Sequence, residues 1–569
     1  MNPAGGGMPV LRQRFSDRFW GWVTLFPGDL ALAAPLLAAA VAAALLEVLW
    51  LILFVRLGPS AAPSVGLLPY LLAAPAFAIF PGSAPLLERL IGPALAFWLG
   101  GAPAAWAYVA LAAAAPRGGH ICRAAWTAAS WLPSKVCEIL RRLRHRRPLE
   151  LRPARPLSRR AIVILLLLTL AALGYRFARI SATPSPLIRP EDIDAAEYDA
   201  LARQLVARQP LALDHSVVVP ASPPLRTRAN RTPGYPAFLA AIYSIVPGPP
   251  DRQCRAALHV QGLLNVLAGL LLFIALRRIL PNWAAACALV IWLVLPPESE
   301  SAFTLLPESL SAFLLSAVLC LCLSTRHPLA WAAAAFLSAC AVMVRPEFVA
   351  LPVVLAIAIA VLPGMRLPQR AWRIALMAAV FSLAFAPWVI RNYRVLGTFV
   401  PTSTAGGFSV WAGNYLPFRA VVRLQSYDLQ RQILRRQSVN PSDEVALDRA
   451  MWREGFRNIA HYLRTRPLDY LGLICSKCRH ACAIPIALDL GHLGSYDFRA
   501  LILFLSLLGA AAALLNWRLL FPLLALPAYQ AAVHAFSYAQ ECRYFLCVMP
   551  IVIGLVTFGI WFAARPPDR

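Results

Sequence analysis

The chain has 569 residues, of which 59% are hydrophobic and only 14% are charged. Soluble domains carry roughly 25% charged residues, and long apolar runs dominate this chain, so an ordinary soluble domain is excluded. The formal net charge of +26 would indicate nucleic-acid binding in a soluble protein. Here the arginines stand between apolar runs, where they anchor topology and contact anionic headgroups. Membrane lipids, and not nucleic acid, are therefore the expected partners.

Residues 1–115 form a hydrophobic N-terminal extension with two or three membrane spans. Three crossings would place the basic segment 12–18 outside, against the positive-inside rule, so the number of spans stays open. The candidate spans lie near 29–55, 64–80 and 91–114. Residues 116–160 follow as an arginine-rich linker, which the same rule places in the cytoplasm.

The basic linker sets the topology of residues 161–569, which we predict to be a core of about ten membrane spans. The predicted spans are 161–178, 258–276, 282–296, 302–323, 329–344, 348–363, 374–390, 500–516, 518–536 and 545–563. Alternation from a cytoplasmic linker places the long loops 179–256 and 391–497 on the outer face. The sequence thus predicts an all-α polytopic membrane protein with helices in its extracytoplasmic loops.

Each long outer loop is predicted to contain a helix. In the first loop Asp194 and Tyr198 are four residues apart and share a helix face. The acidic start of this helix is either an N-terminal cap favoured by the macrodipole or a functional group, and both interpretations stay open. In the second loop a helix is expected after Asn440, with an apolar stripe packing inward. The stripe consists of Trp452, Phe456, Ile459 and Leu463.

Arginines and acids recur at the outer ends of the predicted spans. Arg345 precedes Glu347 in an Arg-Pro-Glu sequence, and Glu308 lies near the outer end of its own span. Arg391-Asn392 and Arg543-Tyr544 occupy two further boundaries. Each arginine alone is typical of a side chain that reaches toward headgroups. Together they indicate an anion site, because arginine binds phosphate through a two-pronged guanidinium.

The order and spacing of these motifs resemble the GT-C superfamily of polytopic glycosyltransferases. Residues 161–569 are similar to bacterial enzymes of the protein O-mannosyltransferase and aminoarabinose lipid A transferase kind. The motifs are Asp194-x-x-x-Tyr198, Arg231-x-Pro233-x-Tyr235-Pro236, Pro307-Glu308, Arg345-Pro346-Glu347, Pro387 to Tyr393 with Gly406-Gly407 and Trp411 to Asn414, and Arg543-Tyr544 followed by Pro550. Residues 1–150 lie outside this resemblance.

The resemblance implies transfer of a sugar from a polyprenyl-phosphate donor to an acceptor hydroxyl on the extracytoplasmic face, with inversion. It implies that Asp194 is the catalytic base and that Arg345, Arg391 or Arg543 stabilises the leaving phosphate. The remaining substrate-binding candidates are Tyr198, Arg231, Tyr235, Glu308, Glu347, Asn392 and Tyr544. The acceptor is a glycan, a lipid or a protein, and the expected location is the bacterial inner membrane.

Two departures from the family's pattern concern the loop acids and the metal. The residue after the loop aspartate is usually acidic in the relatives, whereas here it is Ala195. The aminoarabinose branch holds a metal partly through a glutamate that is replaced here by the stretch 230–232. These departures count against a bound divalent metal but leave it open, and the sequence predicts no cofactor with certainty. Cys475, Cys478, His480 and Cys482 are compatible with a zinc site, a disulfide or ordinary helix packing.

Two other functions compete with glycosyl transfer at this point. A transporter or flippase of a lipid-linked glycan would place ionisable residues at the middle of several spans. Here they cluster in outer loops and at helix ends, which favours the enzyme. A non-catalytic membrane scaffold of the same fold would be favoured if Asp194 pointed away from any cavity.

Overall fold

A computed structural model describes residues 156–564 with internal gaps. The gaps are 186, 189–191, 215–225, 295–302, 325–326, 419–423, 441–442, 483–486, 490–494, 498, 515 and 538–542. The predicted N-terminal spans and most of the basic linker lie outside the described residues. The chain divides into two units, and of the first only Arg466–Leu471 is among the described residues. In this unit Arg466 pairs with Asp469 at 2.7 Å; the sites discussed below belong to the second unit.

The described residues form α-helices joined by short turns. In chain order the helices are α1 (Arg159–Ala182), α2 (Ile193–Val206), α3 (Gly234–Ile245), α4 (Pro250–Leu276), α5 (Asn282–Val294), α6 (Glu308–Ser324), α7 (Pro328–Val344), α8 (Leu351–Val361), α9 (Leu367–Leu396), α10 (Gly406–Gly413), α11 (Leu424–Arg436), α12 (Glu444–Thr465), α13 (Pro467–Cys482), α14 (Arg499–Leu514), α15 (Trp517–Phe536), α16 (Arg543–Leu546) and α17 (Met549–Ala564). Short 3-10 helices cover Pro346–Phe348 and Leu416–Phe418.

Two minimal antiparallel pairs of strands complete the described structure. Strand β1 (Leu213–Asp214) pairs with β2 (Arg226–Thr227), with Leu213 opposite Thr227. Strand β3 (Ala487–Asp489) pairs with β4 (Ser495–Asp497). Both pairs belong to the predicted outer loops, so the spans themselves are all-helical, as backbone hydrogen bonding in lipid demands.

Every predicted span of the core coincides with a helix. Among the described residues, α1, α4, α9 and α15 are long and apolar enough to cross a membrane, and shorter apolar helices lie between them. Helix α1 is the clearest lipid-facing case, because only 6% of its apolar window is buried within the protein. The prediction of an all-α polytopic membrane protein is confirmed for the part of the chain that the structure describes.

The two long loops and several helix ends meet at one end of the helical bundle. Arg255, near the start of α4, donates to the carbonyl oxygen of Thr183 after α1 at 3.1 Å. Arg345, just after α7, pairs with Glu308 at the start of α6 at 2.9 Å. We call this the loop end. At the opposite end, Asn282, the first residue of α5, donates to the carbonyl oxygen of Pro156 before α1.

Close approach of α3 and α7 depends on Gly234. A methyl group on Gly234 would lie 2.6 Å from the backbone carbonyl of Met343 in α7. No side chain moves out of the way there, because the opposing atoms are backbone. This contact holds the start of α3, and the Arg231–Pro236 motif just before and within it, against the bundle.

Replacing Gly234 by Ala is therefore expected to destabilise the protein by about 1–3 kcal/mol, since overpacking forces the helices apart. Thermal unfolding of the purified protein in one detergent measures the loss. The matched control is Gly174→Ala in α1, where a methyl group meets nothing within 4 Å and no loss is expected. Equal stability of the two variants would show that α3 does not depend on this contact.

Helix α12 packs on α10 through a different face from the one predicted. The residues buried against α10 include Met451 and Gly455, whereas Phe456 and Leu463 are 56% and 54% exposed. The predicted inward stripe is wrong for Phe456 and Leu463, because Gly455 permits a close approach to α10 on the neighbouring face, whereas Trp452 of the stripe does lie against Gly406 of α10. The helix begins at Glu444, and Asp443 caps it by accepting from the backbone N–H of Val445 and Ala446 at 3.0 Å.

Candidate active site

Asp194 lies in the first turn of α2 and shares one arginine with Glu197. The Arg231 Nη2 atom lies 2.5 Å from Asp194 Oδ1, and Arg231 Nε donates to Glu197 Oε2 at 2.7 Å. The two acids are one helical turn apart, so a single guanidinium reaches both. The Asp194 side chain is 27% exposed and that of Glu197 is 8% exposed. Asp194 is thus the carboxylate that an incoming molecule can reach.

The negative charges of these two acids keep Arg231 protonated. Burial acts to lower the pKa of Arg231, but the charges of Asp194 and Glu197 raise it well above its ordinary value. The guanidinium is 25% exposed, so it combines a permanent positive charge with access from outside. These are the properties that an anion-binding arginine requires.

Two tyrosines form the apolar side of this cluster. Tyr198 follows Asp194 by one turn, lies 5.2 Å from the Arg231 guanidinium carbon, and meets Tyr235 edge to face at 4.9 Å. Burial raises the pKa of Tyr198 to about 12, against the opposing effect of Arg231. Tyr198 therefore stays neutral at physiological pH. The hydroxyl of Tyr235 donates to Gln261 of α4.

A second buried arginine joins three elements behind the tyrosines. Arg345 donates from Nη1 to Glu308 at 2.9 Å and from Nε to Glu347 at 3.0 Å. Its guanidinium carbon lies 4.8 Å from the centre of the Tyr544 ring. Gln530 of α15 donates to Glu347 at 2.8 Å and to the carbonyl oxygen of Tyr544 at 3.1 Å. The loop-end termini of α6, α7 and α15 are thereby tied together.

Tyr198 links the two arginine clusters. Besides burial, the charges that shift its pKa come from Arg231 and Asp194 on one side and from Arg345 and Glu308 on the other. The structure thus brings most of the residues predicted from sequence into one charged region at the loop end. They are Asp194, Tyr198, Arg231, Tyr235, Glu308, Arg345, Glu347 and Tyr544.

Several buried polar atoms in the Arg345 cluster have no hydrogen-bond partner within the described residues. They are Glu308 Oε2, Gln530 Oε1 and His534 Nδ1. Buried polar atoms are hydrogen-bonded as a rule, and the first two of these can only accept. Both acceptors are enclosed by protein, so they line no surface open to an incoming molecule in this structure. The groups of this region that such a molecule can reach are the partly exposed side chains of Asp194 and Arg231.

The structure gives Arg391 and Asn392 other partners. Arg391 donates to the carbonyl oxygens of Arg228 and Leu211 at 2.7 and 3.2 Å. Asn392 is fully buried and donates to the carbonyl oxygen of Val400 at 3.0 Å. Neither side chain joins the Asp194 region among the described contacts, so both serve to hold the chain where α9 ends. The Arg543 side chain lies outside the description.

Sequence reasoning did not single out Glu197, Gln530 or His534. Glu197 stands three residues after Asp194, and that spacing alone places it on the same helix face. Gln530 and His534 are four residues apart in a span, where polar side chains are expensive and usually functional. They bond each other at 3.0 Å. The helical spacing of Glu197 and the polar pair within an apolar span could both have been recognised in the sequence.

No metal site is formed by the residues that the structure describes. Across these ranges no three His, Cys, Asp or Glu side chains are placed to share an ion. Cys475 is an exposed free thiol, and the side chains of Cys478, His480 and Cys482 lie outside the description. The predicted alternatives for that cysteine group therefore remain as the sequence left them.

Comparison with solved structures finds similar folds at low sequence identity. No family model and no curated protein matches the chain. One similar structure is the Archaeoglobus fulgidus oligosaccharyltransferase AglB with an inhibitory peptide and a dolichol-phosphate, at 14% identity over 69% of this chain and 50% of that one (TM-score 0.42). Its apo form gives 13% identity over 70% and 50%, with the same TM-score. The chain spans about half the length of these oligosaccharyltransferases.

A second kind of similar structure is ArnT from Cupriavidus metallidurans bound to undecaprenyl phosphate. It shares 18% identity over 70% of this chain and 77% of that one, with a TM-score of 0.32. The class of the present protein follows from its own helices: it is an integral membrane protein with a charged cluster at one end of an apolar bundle.

Proposed function

We propose that the chain is a membrane glycosyltransferase that moves a sugar from a polyprenyl-phosphate donor to an acceptor hydroxyl. The observation that carries this proposal is the Asp194–Arg231 pair, 2.5 Å apart and partly exposed at the loop end. A carboxylate that can take a proton stands beside a cation that can meet a phosphate.

In the proposed reaction Asp194 takes the proton from the acceptor hydroxyl. The hydroxyl oxygen then forms a bond to the anomeric carbon as the bond from that carbon to the lipid-phosphate oxygen breaks, which inverts the configuration. General bases of this kind contribute typically 10²–10⁴-fold to the rate. Arg231 meets the leaving phosphate, because its side chain is 25% exposed whereas that of Arg345 is 7% exposed; each of the two arginines is held by two carboxylates, so access distinguishes them.

Arg345 has a positioning role in this proposal. Its pairs with Glu308 and Glu347 fix the ends of α6 and α7. This arrangement supports the tyrosines from behind and keeps Glu308 Oε2 and Gln530 Oε1 in the same region. Electrostatic preorganisation of this type acts without rearrangement during the reaction.

The distribution of arginines supports an active site on the extracytoplasmic face of a bacterial inner membrane. The ends of the helices opposite the loop end carry Arg159, Arg160, Arg277, Arg278, Arg366, Arg370, Arg373 and Arg518. The positive-inside rule assigns such an end to the cytoplasm. The Asp194 region then faces the periplasm or the exterior, where a glycan, lipid or protein acceptor meets the donor.

A release assay tests the proposed function without knowledge of the acceptor. Purified protein in lipid nanodiscs is mixed with a panel of polyprenyl-phosphate sugars, and free polyprenyl phosphate is measured with and without envelope extracts. We expect release for at least one sugar, faster with extract, and a labelled product. Movement of the intact lipid-linked sugar across proteoliposomes without bond cleavage would instead establish the transporter. If neither activity is found with any donor, the non-catalytic scaffold is the interpretation that remains.

A further inference from the structure

A polar cavity lies at the loop end, beside the C-terminal end of α9. Its volume is about 380 Å³, and three arginines line it: Arg226, Arg228 and Arg391. Leu211 and Val395 supply apolar wall. The cavity therefore combines guanidinium groups with an apolar surface, the two features of a site for an amphipathic anion.

The backbone around this cavity is held in place by buried contacts. Arg391 fixes both sides by donating to the carbonyl oxygens of Arg228 and Leu211. Glu444, at the start of α12, accepts from the backbone N–H groups of Arg228 and Ala229 at 2.9 and 3.2 Å. Because these carbonyls and amides are satisfied internally, Arg226 and Arg228 are presented on a fixed support.

The charge balance around the cavity is positive. The carboxylate of Glu444 is 4.0 Å from Arg228 Nε. It also accepts hydrogen bonds from the two backbone N–H groups and from the hydroxyl of Thr404. Asp214 is paired in register with Arg226 in the β1–β2 ladder. Even when Asp214 is counted, the region holds three cationic residues and two acidic ones. Arg226 and Arg228 are exposed, so this excess is available to an anion from outside.

The position of the cavity relates it to the membrane surface. Arg391 and Val395 belong to the last turns of α9, one of the helices long and apolar enough to span a membrane. Tyr393 and Phe399, at the same end, are 59% and 67% exposed. Exposed aromatic residues at the end of a span are typical of the headgroup region. The cavity therefore lies at the level where the phosphate groups of membrane lipids are found.

We propose that this cavity binds the phosphate group of a membrane lipid, with Arg226 and Arg228 on the phosphate and Leu211 and Val395 against the first carbons of the chain. The lipid is either an anionic phospholipid of the bilayer or a polyprenyl phosphate. The proposal does not depend on glycosyl transfer, because the bonds that hold this cavity run from Arg391 to backbone carbonyls and share no residue with the Asp194–Arg231 pair.

The test compares the wild type with the double variant Arg226→Gln, Arg228→Gln in nanodiscs of phosphatidylcholine. Binding of fluorescent phosphatidylglycerol and of fluorescent polyprenyl phosphate is measured, with inorganic phosphate as competitor. We expect roughly 30-fold weaker binding in the variant, from about 1 kcal/mol for each arginine near the surface. Loss for both lipids identifies a general headgroup site, and loss for polyprenyl phosphate alone identifies a carrier site.

The control variant is Arg453→Gln, Arg457→Gln on the exposed side of α12, which removes the same charge elsewhere and should bind as the wild type does. Thermal unfolding establishes that each variant is folded. Unchanged lipid binding in the Arg226, Arg228 variant overturns the proposal. Competition by millimolar inorganic phosphate overturns the assignment to a lipid. Arg231→Gln, which removes the arginine proposed to meet the donor phosphate in the active site, should bind phosphatidylglycerol as the wild type does, which separates the two sites.

Discussion

Replacing Asp194 by Asn is expected to lower sugar transfer by about 10²–10⁴-fold, the range for loss of a general base. Asparagine has the same shape, so Arg231 keeps an oxygen to bond and retains its contact with Glu197 at 2.7 Å. The protein should therefore stay folded and still bind the lipid donor. Initial rates of polyprenyl-phosphate release, together with donor binding in nanodiscs, measure the two effects separately.

The matched control for this variant is Asp251→Asn, which changes an aspartate in the first turn of α4, on a different helix from Asp194. Its transfer rate should equal that of the wild type. A variant Asp194→Asn with near-normal rate and a folded bundle would refute the assignment of the base. A normal rate for Glu197→Gln is compatible with the proposal, because Glu197 is buried and only holds Arg231.

Replacing Arg345 by Ala is expected to destabilise the protein by about 3–5 kcal/mol, the cost of breaking a buried ion pair. Two carboxylates lose their partner at once, since Arg345 pairs with Glu308 at 2.9 Å and with Glu347 at 3.0 Å. Glu308 is 2% exposed, so water cannot replace the guanidinium. Thermal or chemical unfolding in a fixed detergent measures the loss.

The control for Arg345 is Arg457→Ala in α12. Arg457 also pairs with a glutamate, at 2.8 Å, but its side chain is 69% exposed, and exposed pairs contribute less than about 1 kcal/mol. Adding Glu308→Gln to Arg345→Ala should recover part of the loss by removing one uncompensated charge. Equal effects of Arg345→Ala and Arg457→Ala would mean that the Arg345 cluster is hydrated in the folded protein.

The bundle and the Asp194 region followed from sequence because their causes are local or nearly so. Apolar runs predict helices in lipid wherever they are long enough, and each predicted core span is a helix here. Asp194 and Tyr198 share a face because helical geometry puts residues four apart together. The common location of Arg345 and Glu308 followed from topology, since α6 starts and α7 ends at the same side; that they pair with each other was not predicted.

The role of Arg391 could not be predicted because it depends on distant backbone. Arg391 and Arg345 both stand at a helix end and resemble each other in sequence context. One meets Glu308, and the other meets carbonyl oxygens contributed by the β1–β2 region. The face of α12 was mispredicted for a similar reason, because Gly455 permits close contact with α10 and leaves Phe456 outside.

The sharing of Arg231 between two acids affects the catalytic cycle after the bond is made. When Asp194 takes up a proton, its attraction to Arg231 weakens, yet Arg231 remains attached to Glu197 at 2.7 Å. With both acids ionised the trio has a net charge of −1, and it becomes neutral when Asp194 is protonated. Asp194 can therefore gain and lose its proton while the guanidinium of Arg231, which faces the departing phosphate, stays in one position.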